Sequence, residues 1–362
     1  MLVRVKKKII GFQVRYLHSK GALFVLKKTL LLILIPLLII VCAAAGLIVE
    51  LRTYAETPTN VNALKNVIIS VRPGQTLRTT ANLLQQANLI KGKLKFILIA
   101  RINGSDKHLK AGEYLLSAAM PPRQILEIMV KGAVHLHKLT VPEGYSIAQI
   151  AVLVENARFG SKIDFIKTAT DAALVTKNGI EASSLEGYLF PDTYFFPRDV
   201  TISKIISTML NRFWSIFTTE WEMRAKDLGF TVHQIVTLAS IIEKETGAAV
   251  ERPIISSVFH NRLKKKMRLE SDPTVIYGIK NFDGNITRKH LSTRTPYNTY
   301  KIKGLPAGPI ANPGRASLEA ALFPDNTVFI YFVSKKDNTH YFSKTLKEHN
   351  QAVRKYQLRR KK

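Results

Sequence analysis

Thr29 to Val49 is a run of 21 residues without a charged side chain. At 1.5 Å per residue a helix of that length crosses a hydrocarbon core of about 30 Å, so this segment is matched to a bilayer. It exceeds the apolar core of a cleaved signal peptide, about 7 to 15 residues long, so it is expected to stay as a membrane-spanning helix. Eight Lys or Arg and no acid occupy the first 28 residues, with Lys27 and Lys28 directly before the run. That bias places the N-terminus in the cytoplasm and the bulk of the chain outside a bacterial inner membrane, on the periplasmic side.

The formal net charge is +28, and setting aside the basic arm leaves +20 on the remainder. Such an excess suits nucleic acid, anionic lipid or an anionic wall polymer, and an external position disfavours nucleic acid. The hydrophobic content of 46% supports at least one sizeable core outside the membrane. Cys42, the single cysteine, falls inside the apolar run, so no disulfide can staple the external part. Val41 before it argues against a lipid-modified cysteine. His135 and His137 are the only closely spaced histidines and no phosphate-cradling glycine loop is present, so neither a metal nor a nucleotide cofactor is expected.

Residues 50–65, with Pro58 and several Thr and Asn, are expected to form a polar linker. Strand, Pro/Gly turn and apolar-periodic helix then occur twice. Val67–Val71 leads through Pro73-Gly74-Gln75-Thr76 into a helix at Leu77, and Leu139–Val141 leads through Pro142-Glu143-Gly144 into a helix at Ile147. The first of these units resembles a LysM-type glycan-binding module. Pro121-Pro122 opens a further helix.

The composition changes at Leu185-Glu186-Gly187-Tyr188-Leu189-Phe190-Pro191-Asp192-Thr193-Tyr194, where aromatics sit beside carboxylates. That pairing suits either a sugar-binding wall, with rings against pyranose faces and carboxylates on hydroxyls, or an aromatic core strand. From Val232 to Thr246 the apolar residues Ile235, Leu238, Ala239 and Ile242 recur at helical spacing, and Gly247 is expected to stop the helix. Glu243 and Glu245 close it. Two residues apart, they point about 200° from each other, so periodicity does not choose which one enters a cleft. Downstream come a helix over 251–266 whose Arg262, Lys264, Lys265 and Lys266 read as a solvated face, and a polar cap at Ser271 before a proline-started helix. After them follow a shaped loop rich in Gly and Pro over 304–314, a helix over 317–323, a buried strand over 328–333 turning into His340, and a basic end at Arg359–Lys362.

LEGYLFPDTY at 185, ASIIEKET at 239, ERPIISSVFHNRL at 251, SDPTVIYG at 271, YNTY at 297 and GLPAGPIANPG at 304 together resemble the MltG (YceG-like) endolytic murein transglycosylases. The resemblance implies an α+β chain organised as a basic cytoplasmic arm (1–28), a single N-terminal transmembrane helix (29–49), a linker (50–65), a small LysM-like α+β module with a second α+β unit (66–180), a mixed α+β catalytic domain (181–350) and a basic tail (351–362). It implies a lyase that cuts peptidoglycan strands between N-acetylmuramic acid and N-acetylglucosamine without water and leaves a 1,6-anhydromuramyl end. Peptidoglycan synthases of the wall-synthesis complex are the implied partners.

In the wider lytic transglycosylases the catalytic glutamate precedes Ser or Thr, which selects Glu245-Thr246 over Glu243-Lys244. The same resemblance gives substrate-positioning roles to Glu186, Tyr188, Asp192, Asp272, Tyr297, Asn298 and Tyr300. Glu270 stands where the family more often resembles Gln, and a second acid there would admit hydrolysis. A non-catalytic wall tether and a hydrolytic muramidase are the competing readings.

Overall fold

The computed structural model describes residues 2–279 and 282–358, with side chains from Lys28 onward except at position 29. The final residues of the basic tail, Arg359–Lys362, and Met1 of the basic arm lie outside the described residues. The chain divides into two compact units, Met1–His135 and Leu136–Lys362.

The first unit begins with α1 (Leu2–Glu56), a single helix that carries the apolar run. Its stretch Leu30–Glu56 is long and apolar enough to cross a membrane, and the side chains from Leu30 to Val49 are exposed along it. Residues 50–56, expected to start the linker, instead continue the helix, because Leu51 and Ala55 are buried in the unit's core. Beyond it come β1 (Asn66–Val71), α2 (Leu77–Gln86), α3 (Lys93–Ile102), β2 (Gly112–Ser117) and α4 (Pro122–Lys131). β1 and β2 pair antiparallel, Ile69 opposite Tyr114, and their inward faces join Leu84, Phe96, Ala100, Ile125 and Met129. Turn chemistry sets the element ends. Thr76 caps α2 by accepting from the Thr79 N–H, and α4 runs from its first-turn proline to Gly132 in the left-handed region.

The second unit contains β3 (His137–Thr140), α5 (Ile147–Asn156), α6 (Lys162–Ala169), α7 (Ala172–Lys177), β4 (Thr193–Phe196), α8 (Ile202–Ile216), α9 (Thr219–Asp227) and α10 (Val232–Glu245). It continues with α11 (Arg252–Lys264), α12 (Asp272–Tyr277), α13 (Arg288–Ser292), α14 (Arg315–Leu322), a hairpin of β5 (Tyr331–Ser334) and β6 (His340–Ser343), and α15 (Leu346–Val353). The second strand–turn–helix unit was expected to join the first in one module. It lies in this second unit instead, since β3 pairs with β4 and α5 shares a core with α8 and α10. β5 is shorter than expected and only half-buried, with Val328 exposed before it.

α10 is the axis of this unit. A capping box between Thr231 and Gln234 starts it, and every residue from Ile235 to Ile242 is buried. A helix buried all round presents side chains to several neighbours, here α9, α11, α12 and α14. It ends because Thr246 turns extended while its hydroxyl donates back to the Ile242 carbonyl at 2.6 Å. Gly247 has a different use from the expected stop: a β-carbon there would lie 2.7 Å from the Asn338 carbonyl oxygen, so its absence lets the β5–β6 turn close on the helix end.

Candidate active site

The two glutamates at the end of α10 diverge as helical geometry requires, and each meets a different set of partners. Glu243 accepts the Gly314 N–H at 3.0 Å, with the Arg252 guanidinium 4.0 Å away. Glu143 lies beside it, and burial together with the Glu243 charge holds the Glu143 carboxyl above its ordinary value. Lys244 reaches the Gly144 carbonyl at 3.4 Å. Glu243 and Lys244 thus fasten the end of α10 to the turns around Gly144 and Gly314.

Glu245 faces the other way. Its Oε1 accepts a short hydrogen bond, 2.6 Å, from the hydroxyl of buried Ser271. Ser271 occupies the N-cap position of α12 yet makes no side-chain cap, its hydroxyl being committed to Glu245. Its backbone N–H donates to Thr299 Oγ1 at 3.0 Å and its carbonyl accepts from Thr274 at 2.6 Å, so the donor is held in place. Burial raises the Glu245 pKa, the Asp272 charge adds to that, and the Ser271 hydrogen bond, His340 and Arg262 oppose it. The balance lies on the raised side, which favours the protonated acid.

Asp272 accepts from the Tyr300 hydroxyl at 2.7 Å, and burial and this carboxylate push the phenol pKa up, so Tyr300 stays a neutral donor. Glu245, Ser271, Asp272 and Tyr300 form one cluster. Asn298 is buried, its amide donating to the carbonyls of His290, Leu291 and Thr293 and its Oδ1 accepting from the Tyr300 N–H at 3.0 Å. It shapes the loop that presents Tyr300. Tyr297 packs on Tyr277 with ring centroids 4.8 Å apart.

The aromatic segment supplies interior groups. Glu186 is 4% exposed and accepts from the Ile147 N–H, the Tyr277 hydroxyl and the Asn312 amide, each at 3.0 Å. Burial outweighs those donors and raises its pKa to about 7. Tyr188 is buried, its ring stacked on His233 and its hydroxyl 3.0 Å from His233 Nδ1. Asp192 pairs with Arg212 at 2.8 Å beside β4. Gly187, at φ +89°, joins this segment to the rest: a β-carbon would lie 2.6 Å from both Val236 and Pro309.

Several determinants were not singled out from sequence. Asn312 donates to the Tyr145 carbonyl at 2.8 Å and accepts from the Leu189 N–H at 2.9 Å, tying the 304–314 loop to two other segments. Arg262, read as part of a solvated face, is 7% exposed and donates to the carbonyls of Ile330, Arg268 and Leu269. It also holds Glu270 at 3.2 Å, so Glu270 is an ion-pair partner and Asp272 is the carboxylate whose charge bears on Glu245. Glu251 accepts from both the backbone N–H of His340, at 3.0 Å, and faces its Nδ1 at 2.7 Å. Sequence pointed to Ser271 only as a helix cap, and Asn312, Arg262 and Glu251 lie within the family motifs without a role being legible there.

The model of the YceG-like family matches residues 69–355, which takes in the whole of this cluster and most of both units beyond the apolar run. The chain belongs to the YceG-like family. A relative named endolytic murein transglycosylase, from Bacillus subtilis, is 35% identical over 315 residues, spanning 83% of this chain and 87% of its own length. Another of the same name, from Streptococcus pneumoniae, is 29% identical over 330 residues, and there the match covers 82% of this chain but 59% of the relative. Among solved structures, a YceG-like protein from Listeria monocytogenes is 36% identical with a TM-score of 0.56, covering 80% of this chain and 99% of that one.

Proposed function

We propose that this YceG-like protein is a membrane-anchored endolytic lytic transglycosylase that cleaves nascent peptidoglycan between N-acetylmuramic acid and N-acetylglucosamine and thereby ends strand elongation. The observation that carries the reading is Glu245, fixed by Ser271 and kept toward its protonated form. The relatives named endolytic murein transglycosylase support the substrate class. Glu245 gives its proton to the glycosidic oxygen as the bond to the muramyl anomeric carbon breaks. The muramyl 6-hydroxyl then attacks that carbon and Glu245 takes the hydroxyl proton, which closes the 1,6-anhydro ring and restores the acid. No water is consumed. Asp272 and Tyr300 flank the acid, positioned to bind sugar hydroxyls, with Asp272 also opposing charge that develops on the ring. Glu186, Tyr188, Asn298 and Asp192 act by holding the walls, and Tyr297 lines them.

The β-α-α-β order of the first unit supports a LysM-like hold on glycan. The apolar run and basic arm support a single-pass anchor with the N-terminus in the cytoplasm and the site outside, beside the synthases that extrude new strands. Digestion of purified glycan by the full chain, with the new ends weighed by mass spectrometry, tests the reading. Anhydromuramyl ends are expected, reduced by about two orders of magnitude or more in Glu245→Gln and far less in Glu243→Gln. Reducing ends would make the protein a hydrolase, and retention of strands without cutting would make it a tether.

A further inference from the structure

α3 carries Leu94, Leu98 and Ile102 at four-residue intervals, which places them on one face, and they are 64%, 40% and 68% exposed. Lys91, Lys93 and Arg101 are exposed around this stripe. An apolar stripe rimmed by cations is the pattern of a helix lying in a membrane interface. Where α3 sits on α1 says what covers it.

At its start, the Gly92 carbonyl accepts from the Tyr54 hydroxyl at 2.8 Å and Lys95 pairs with Glu50 at 2.6 Å. At its end, Ile99 and Ile102 share a hollow with Ile48, Leu51 and Ala55. Both ends of a helix about 15 Å long therefore meet the same two turns of α1, so α3 crosses α1 and does not run along it. Those two turns, from Ile48 to Ala55, straddle the point where the apolar run stops, at Glu50. The headgroup layer is about 5 to 7 Å deep on each side, which is the depth that the first turn beyond the run traverses. A helix crossing there lies roughly along the bilayer surface.

We infer that α3 is a second membrane contact, its Leu94–Leu98–Ile102 face seated in the outer leaflet and its cations on anionic phospholipid headgroups. The inference rests on the proposal that α1 spans the bilayer, and the test separates the two. Single cysteines replace Leu38 and Leu98 in a Cys42→Ser chain, are spin-labelled, and are read in nanodiscs of phosphatidylglycerol and phosphatidylcholine by collision with oxygen and with a water-soluble nickel chelate. The expected result is a several-fold higher oxygen-to-nickel ratio than in water at both positions. It should fall at position 98 alone in pure phosphatidylcholine or when Lys93→Glu and Arg101→Glu are added. A lipid-like label at 38 with an aqueous label at 98 would overturn the surface contact and leave the anchor standing. An aqueous label at 38 would overturn the anchor, and the surface contact with it.

Discussion

Glu243 and Glu245 are chemically identical and two residues apart, yet their partners come from far along the chain, 71 positions away at Gly314 and 26 away at Ser271. Helical periodicity could therefore establish only that they diverge, and the choice of Glu245 rested on the resemblance of Glu245-Thr246 to the family pattern. Because the Ser271 hydroxyl stabilises the charged form of Glu245, removing it raises that pKa further. Ser271→Ala is expected to move the basic limb of the kcat/KM pH profile upward, because the lost hydrogen bond favoured the charged form. An unmoved limb would mean that another group titrates. Glu186 offers a stability test with the opposite readout. Its pKa rises on folding from 4.5 to about 7, so the native state holds the proton more tightly than the unfolded chain. Stability contributed by the neutral form is complete below the unfolded value, declines as pH rises between the two, and is level above the folded one, a span of about 3 kcal/mol. Thermal unfolding of Glu186→Gln should lack this decline, whereas the same slope in both proteins would clear Glu186 of it.

The helices were the most legible elements, because caps and periodicity are local. Thr231–Gln234, Ser146–Gln149 and Pro122 each start a helix where the sequence indicates. What was hidden is how loops close on them. The glycines and prolines of 304–314 announce a shaped loop but not its anchor, Asn312, whose side chain reaches Leu189, Tyr145 and Glu186. Asn312→Ala removes three hydrogen bonds from a fully buried site and should cost about 2 to 4 kcal/mol, read as a lower denaturation midpoint. A change under about 0.5 kcal/mol, the usual range for surface substitutions, would show that the loop is held by other contacts. Arg262 was misread for a related reason: a basic run at a helix end looks solvated until the carbonyls of Ile330, just before β5, and of Arg268 and Leu269 supply its acceptors.

At the scale of the molecule the apolar run and the family motifs were plain in the sequence, while the division of the external part was not. Similar strand–turn–helix units suggested one module, but β3 finds its partner in β4, more than fifty residues on, and so belongs with the second unit. The continuation of α1 through Leu51 and Ala55 was equally concealed, since Pro58 and the polar residues around it suggest a break earlier than the one that occurs. That continuity makes the emerging helix a stem of fixed phase. One residue inserted between Val49 and Glu50 would swing the first unit by about 100° around the stem and lift it about 1.5 Å, while four would restore nearly the original bearing about 6 Å higher. Length here is a dial of angle and height together, and, with α1 as the proposed anchor, a change in the number of residues at that point alters which side of the unit is presented along the membrane.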